Sequence, residues 1–360
     1  MQNDLPITKI IKIDDVASQE TKLALKTASD ILRKGGLVAF PTETVYGLGA
    51  NGLDVRACRR IYEAKGRPSD NPIILHVADR AMLSSLVAEV TPLAEKLIAA
   101  FCPGPLTLIM RRSSIVPSEV TGGLDTVGIR MPRNAIALAM IRAANIPIAA
   151  PSANLSGRPS PTTAAAVYCD LAGRIPLILD GGACIFGLES TIVDCTSNKA
   201  IILRPGAITK EMLLKITDKV ELDSALLGKS DTPRAPGMKY RHYSPKMPVT
   251  LFEPCGGDVA QTMLLEMQKL QARGKTVGAL VSSEVLNKLG EAISPDYAVS
   301  YGRRGDDVAI AAKLYQALLY FDTLPIDNLL VEGTSEKGLG LAIMNRLRKA
   351  SGGHSIYVKT

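Results

Sequence analysis

Two short stretches of this 360-residue chain gather side chains suited to anions and small polar molecules. In "KGRPSDNP", residues 65–72, Lys65 and Arg67 stand where a helix should end and a loop bounded by Pro68 and Pro72 should begin. Lysine offers a phosphate a point charge and arginine a planar fork, and a loop already held by prolines loses less entropy on closing around an anion. Two cations at a helix C-terminus also complement the helix dipole without any ligand, so the pair alone leaves both readings open. In "APSANLSGRPSPT", residues 150–162, Ser152 and Ser156 lie just ahead of an expected helix start, with Ser160 as N-cap and Pro161 in the first turn. Free N–H groups at such a start form a phosphate cradle, although a plain capped helix would read the same way.

A third stretch, "FPTETVYGLGANG" (residues 40–52), holds Gly47, Gly49 and Gly52 in the G-x-G-x-x-G spacing of a dinucleotide-binding turn. Six residues, Pro41 to Tyr46, separate the preceding strand from Gly47, and the next helix starts only after Gly52, so the strand–turn–helix context is missing. The glycines read as a tight loop. Thr42, Glu43 and Thr44 are more informative, placing two hydroxyls and a carboxylate at a strand end, where open sheets bind ligands. His76, Ser190, Thr191 and Arg204 fall at the ends of other strand-like runs, although a lone histidine there is equally a hydrogen-bonded core residue. Gly228-Lys229-Ser230 imitates the end of a P-loop, but Asp223 stands where that motif requires glycine. No Ser-His-Asp or Cys-His arrangement is evident. Six cysteines without a CxxC, beside three histidines, point to neither a zinc site nor a disulfide framework.

The elements that must position these groups can be read from pattern. Ser18 should cap a helix running to Lys34, with Leu23, Leu25, Ile31 and Leu32 on its apolar side; Asp54 should cap a second, which Gly66 ends. "GLVAF" and the runs at 72–77, 106–110, 126–131, 146–150, 176–180, 190–195 and 200–204 read as strands, giving a mixed α/β sheet over residues 18–208. Residues 209–246, rich in Pro, Gly, basic and aromatic side chains, read as a linker. From 247 to 360, four strand-like runs alternate with helical stretches at 258–273, 306–321 and 339–350, the pattern of a small parallel sheet. A net charge of +7 favours phosphate-rich partners such as nucleotides, pyrophosphate or RNA, while 4% aromatic content with no Trp argues against base stacking. The first fifteen residues carry acids and a Pro where a signal peptide needs an apolar core, and no run is long enough to span a membrane. Cytoplasmic residence, with no membrane association, is the expectation.

In order along the chain, "PTETVYGL", "KGRPSDNP", "PGPLTLI", "VGIRMP", "APSANLSGRPSPT", "ESTIVD" and "LRPGAI" resemble the Sua5/YrdC family of threonylcarbamoyl-AMP synthases. The later "APGMKYRHYSP" and "GLGLAIMNRLRKAS" resemble its two-domain Sua5 type. The resemblance implies a YrdC-like twisted sheet with helices, then a smaller Rossmann-like Sua5 domain, the linker serving as a lid over the active site. It also implies an enzyme that joins L-threonine, bicarbonate and ATP into L-threonylcarbamoyladenylate and releases pyrophosphate. A partner transferase would then carry the threonylcarbamoyl group to adenosine 37 of tRNAs reading ANN codons, the t6A modification. By the same resemblance, Thr44, His76, Arg130, Ala150 and Ser190 surround threonine. Arg67, Asn71, Thr126, Ser152, Ser160, Arg204 and Tyr240 contact ATP, and Lys65 with Arg67 acts at the reacting centre. Mg²⁺ would come with ATP, with no organic cofactor and no protein side chain assigned to a metal. Two alternatives stay open: a basic surface for tRNA or double-stranded RNA, and the carbamoyl-transfer relatives of this fold, which carry CxxC zinc motifs absent here.

Overall fold

The computed structural model describes residues 7–69, 71–226, 243–290 and 297–359. The chain divides into two compact units, Met1–Ser156 with Ser160–Lys239, and Gly157–Pro159 with Tyr240–Thr360.

The larger unit is built on one mixed sheet. Its first half runs β1 (Lys9–Lys12), β8 (Leu177–Asp180), β2 (Val38–Phe40), β3 (Gly47–Asn51), β7 (Ile148–Ala149) and β4 (Leu75–His76). It continues through β6 (Thr126–Arg130), β5 (Leu106–Arg111), β9 (Thr191–Asp194), β10 (Ala200–Arg204) and β11 (Val220–Leu222). The last strand lies inside the expected linker: residues 210–222 form α8 (Lys210–Leu214) and then β11, which pairs in parallel with β10. The run expected as a strand at 72–77 keeps only Leu75 and His76 in ladder form: Pro72 has no N–H to donate, and Ile73 N turns out of the sheet to Val120 O.

Helices pack where their caps predict. Ser18 Oγ accepts from Thr21 N and starts α1 (Gln19–Arg33). The buried side of α1 is Ala24, Leu25, Ala28 and Leu32, whereas Leu23, expected inside, is 65% exposed. Asp54 Oδ1 accepts from Arg56 N and Ala57 N at the start of α2 (Val55–Lys65), and Gly66 ends it at φ 59°, the left-handed conformation that glycine adopts without strain. Ser160 does not cap a helix. Thr163 Oγ1 accepts from Ala166 N and starts α7 (Ala164–Leu171), while Ser160 is drawn to Glu189.

The glycine triplet also differs from its expected role. Gly47 and Gly49 lie within β3, not in a loop, and neither they nor Gly52 have positive φ. They allow close packing: a Cβ on Gly49 would sit 2.9 Å from both Phe40 and Ile148 side chains, and one on Gly52 would sit 2.9 Å from Pro147 O.

In the smaller unit β12 (Val249–Cys255), β13 (Val277–Ser282), β14 (Ala298–Gly302), β15 (Asn328–Glu332) and β16 (Ser355–Lys359) form a parallel sheet, ordered β14-β13-β15-β12-β16. One helix follows each of the first four strands: α9 (Val259–Gln271), α10 (Ser283–Leu289), α11 (Asp307–Phe321) and α12 (Gly340–Ala350). This is the expected Rossmann-like layering. Its order, counted from β12, is 3-2-4-1-5. Every residue of β13 is buried, as a parallel strand covered on both faces requires. Among the described residues no helix is long and apolar enough to cross a membrane.

Candidate active site

Sheet register brings the first group of side chains together. β4 and β6 run parallel with His76 opposite Arg130, and β5 runs antiparallel to β6 with Thr107 opposite the same Arg130. Paired residues point to one face, so histidine, arginine and threonine share it. Ile74, Ile109, Ile192 and Leu203 form an apolar cluster beside them.

The Thr42–Glu43–Thr44 loop after β2 reaches this group. Arg130 Nη1 donates to Thr44 Oγ1 at 2.8 Å, its Nε to Gly104 O at 3.4 Å, and its Nη2 lies 2.9 Å from Glu43 Oε1. That ion pair is close but not aligned as a hydrogen bond, which leaves Nη2 buried without a hydrogen-bond partner. The proton on Thr44 can be placed. Thr42 Oγ1 gives its one proton to Val45 O at 2.6 Å, so in the 2.9 Å contact between the two hydroxyls Thr44 is the donor. Thr44 Oγ1 therefore donates to Thr42, accepts from Arg130, and keeps one lone pair for a further donor.

Charge states follow from burial. Burial alone would raise the Glu43 carboxyl, but the Arg130 charge beside it prevails and holds it below its ordinary value. His76 is 4% exposed. Burial first, and the Arg130 charge second, push its pKa down to about 3, so it is a neutral imidazole, and its Nδ1 has no hydrogen-bond partner. At the far end of the group Ser190 Oγ and Thr107 Oγ1 are 2.7 Å apart. Arg204 donates through Nη2 to Ser190 Oγ and through Nε to Ser190 O, each at 3.1 Å. Ser190 and Arg204, assigned to different substrates by the resemblance, are thus direct neighbours.

A second group forms around the end of α2. Lys65 is 3% exposed, and its Nζ donates to Ser152 O and Asn154 O at 2.5 Å each and to Asn154 Oδ1 at 3.5 Å. Burial first, then the Arg67 charge, push its pKa well below the ordinary value, against the pull of Asp170. Lys65, expected near the reacting phosphate, has its Nζ against these protein oxygens and ties the helix end to the serine loop. Arg67 is half-buried on its own loop, with Nη2 donating to Pro72 O at 3.1 Å and Asn71 O at 3.3 Å and its guanidinium 6.0 Å from the Tyr62 ring centre. Asn71 is buried, its Nδ2 unpartnered. Ser152 Oγ donates to Asn154 Oδ1 at 2.5 Å.

The remaining expected residues are placed as follows. Ala150 N donates to Ile74 O, holding that residue beside β4. Thr126 begins β6 and lines a small cavity with Pro72, Ile74 and Gly128. Ser160 Oγ donates to Glu189 Oε1 at 2.5 Å, next to Ser190. Tyr240 lies outside the described residues. Sequence reasoning placed Glu43 at a ligand-binding strand end without giving it a role, and did not carry Thr107, Asn154 or Glu189 into the site. Glu43 shows itself as a lone carboxylate in the otherwise uncharged stretch from Gly35 to Leu53; the other three are tied to the site by partners distant in sequence.

Asn71 Nδ2, His76 Nδ1 and Arg130 Nη2 are buried polar atoms without hydrogen-bond partners, which folded proteins rarely tolerate. A polar ligand supplies what such atoms lack. Comparison with known proteins says which family the chain resembles. Residues 30–206 match the family model Sua5_yciO_yrdC, described as "Telomere recombination", and residues 208–352 match Sua5_C, described as "Threonylcarbamoyl-AMP synthase, C-terminal domain". The threonylcarbamoyl-AMP synthase of Pyrococcus abyssi (strain GE5 / Orsay) is 47% identical over 336 residues, covering 93% of this chain and 96% of that protein. The chain belongs to the Sua5/YrdC family. A second Sua5/YrdC relative, the threonylcarbamoyl-AMP synthase of Bacillus subtilis (strain 168), is 45% identical over 344 residues, covering 95% of this chain and 96% of its own length. Among solved Sua5/YrdC structures, that of P. abyssi Sua5 complexed with L-threonine superposes with a TM-score of 0.90 at 44% identity, covering 98% of this chain and 99% of that one. The resemblance read from the seven motifs, and the two-domain α/β fold it implies, are borne out.

Proposed function

We infer that the chain joins L-threonine, bicarbonate and ATP into L-threonylcarbamoyladenylate and pyrophosphate, the first step of t6A37 formation in tRNAs reading ANN codons. The observation that carries this reading is the buried Arg130, held by Thr44 and Glu43 with donor capacity unspent, beside a neutral His76. That arrangement suits an α-amino acid. The guanidinium takes the carboxylate, and the Thr44 lone pair and His76 Nδ1 accept from the amino group.

The free amine attacks the bicarbonate carbon and expels water, leaving a carbamate. A carbamate oxygen then attacks the α-phosphorus in line, and pyrophosphate leaves. Catalysis is positioning and charge stabilisation, with no protein nucleophile. Arg67 meets the phosphate charge directly, while Lys65 acts through the Ser152–Asn154 loop that it tethers. Asn71, Thr126, Ser152, Ser160 and Arg204 complete the nucleotide's surroundings, with Ala150 and Ser190 beside threonine. Mg²⁺ would arrive on the ATP phosphates as part of the substrate. The product passes to a partner transferase acting on tRNA. Of the linker given the lid role, residues 227–242, Tyr240 among them, lie outside those described.

Pyrophosphate release by the purified chain, with ATP and bicarbonate and with or without L-threonine, tests the reading. Release should require threonine and fall about 100-fold in Arg67→Ala, a loss typical of one charge-stabilising group. Release indifferent to threonine would sink the assignment, and an unaffected Arg67→Ala would remove that residue's role.

A further inference from the structure

We propose that Glu43 is a positioning residue of the threonine site, its buried carboxylate fixing the Arg130 guanidinium so that the unspent N–H pair meets the substrate carboxylate. The proposal rests on the amino-acid role of Arg130 given above.

A guanidinium has five N–H bonds in a rigid plane. In Arg130, Nε–H points to Gly104 O, one Nη1–H goes to Thr44 Oγ1, and Nη2 stands 2.9 Å from Glu43 Oε1. At least one N–H on each Nη is left over. Two parallel N–H bonds of the fork match the two oxygens of one carboxylate.

Three partners on two segments hold the plane, but they are unequal. Gly104 O is a long contact and Thr44 a neutral hydroxyl, so Glu43 supplies the only negative charge among them. The side chains of Glu43 and Arg130 are 2% and 5% exposed, so water does not screen the pair. Without Glu43, Arg130 would be a buried cation with no counter-charge whenever the site is empty, and such a group moves toward any solvent or carbonyl within reach. Its departure would also release Thr44, whose hydroxyl proton is directed by the Arg130–Thr44–Thr42 chain. Glu43 therefore sets the carboxylate contact directly through Arg130 and the amine contact at one remove.

A purely architectural carboxylate would affect both substrates alike, whereas a positioning residue for Arg130 affects threonine alone. The test uses the full chain as wild type, Glu43→Gln and Glu43→Asp. Threonine and ATP KM values and kcat come from pyrophosphate release, threonine Kd from calorimetry, and folding from thermal melting. Glu43→Gln should raise threonine KM and Kd at least ~10-fold with ATP KM within about twofold of wild type, the signature of lost ground-state binding for one substrate. Glu43→Asp keeps the charge but withdraws the oxygen by one methylene, and should give a smaller rise, about threefold. Unchanged threonine KM in folded Glu43→Gln overturns the proposal, as does an equal rise in both KM values. If Glu43→Gln does not fold, an unchanged threonine KM in Glu43→Asp overturns it instead. Wild type serves as the separate control: failure to bind threonine or to need it for pyrophosphate release removes the underlying reading, and failure of the variants alone removes only Glu43.

Discussion

At the scale of single residues, the site is a set of charge states chosen by burial. His76 has a folded-state pKa of about 3 against an ordinary 6.5. Between those values the unfolded chain binds a proton that the folded chain refuses, so stability is lost as pH falls from 6.5 toward 3. The slope is about 1.4 kcal/mol per pH unit. Glu43 acts in a lower window: its carboxyl is depressed below 4.5, so its contribution is complete above that value and is lost only as pH falls through its lowered pKa. The interval from 6.5 to 4.5 thus belongs to His76 among these two groups. Thermal melting of wild type and His76→Gln across that interval should show the wild type losing stability on acidification relative to the variant. A constant difference between the two would contradict the neutral, buried assignment. Residue types in the site were legible from sequence, because a histidine at a strand end or a carboxylate between two threonines shows itself. Their bonds were not: Thr44 and Arg130 meet across 86 residues, and the commitment of Lys65 to the serine loop spans 87.

At the scale of elements, legibility followed how local the deciding interaction is. The apolar runs of β5, β6 and β10 and the Asp54 cap of α2 are settled by neighbours in sequence, and all lie where pattern placed them. Ser160 misled because its hydroxyl is taken by the distant carboxylate of Glu189, and Thr163, three residues on, caps the helix instead. β3 was invisible for a related reason: glycine is depleted in strands, yet Gly47 and Gly49 form one because the strands on either side leave no room for a side chain. Gly52 shows this most sharply. A Cβ there meets the Leu75 side chain at 2.5 Å, Pro147 O at 2.9 Å and Ala149 N at 3.2 Å, and the last two are backbone atoms held in the sheet. Gly52→Ala should therefore destabilise the chain by roughly 1–3 kcal/mol, the usual cost of overpacking. A denaturant midpoint equal to wild type, at unchanged m value, would show that the strands can separate after all.

At the scale of the whole molecule, every described side chain assigned to threonine or ATP belongs to the larger unit, on β4, β6, β10 and the loops that follow β2, α2, β7 and β8. The smaller parallel sheet contributes none. Its identity as a second domain was readable from the strand and helix alternation, but alternation carries no strand order, which depends on contacts made only after the chain folds. The division has a thermodynamic consequence. A ligand slows exchange only through openings that release it, and at 100 times its Kd it adds about 2.7 kcal/mol to those openings, about a 100-fold slowing. Saturating L-threonine should therefore protect amides in residues 41–46, 74–78, 128–131 and 188–192, while those in β12, β13 and β15 exchange as before. Hydrogen exchange read by mass spectrometry on the full chain resolves these peptides. Equal protection in β15 and β6 would mean that threonine reports to both sheets, and the site could no longer be assigned to the larger unit alone.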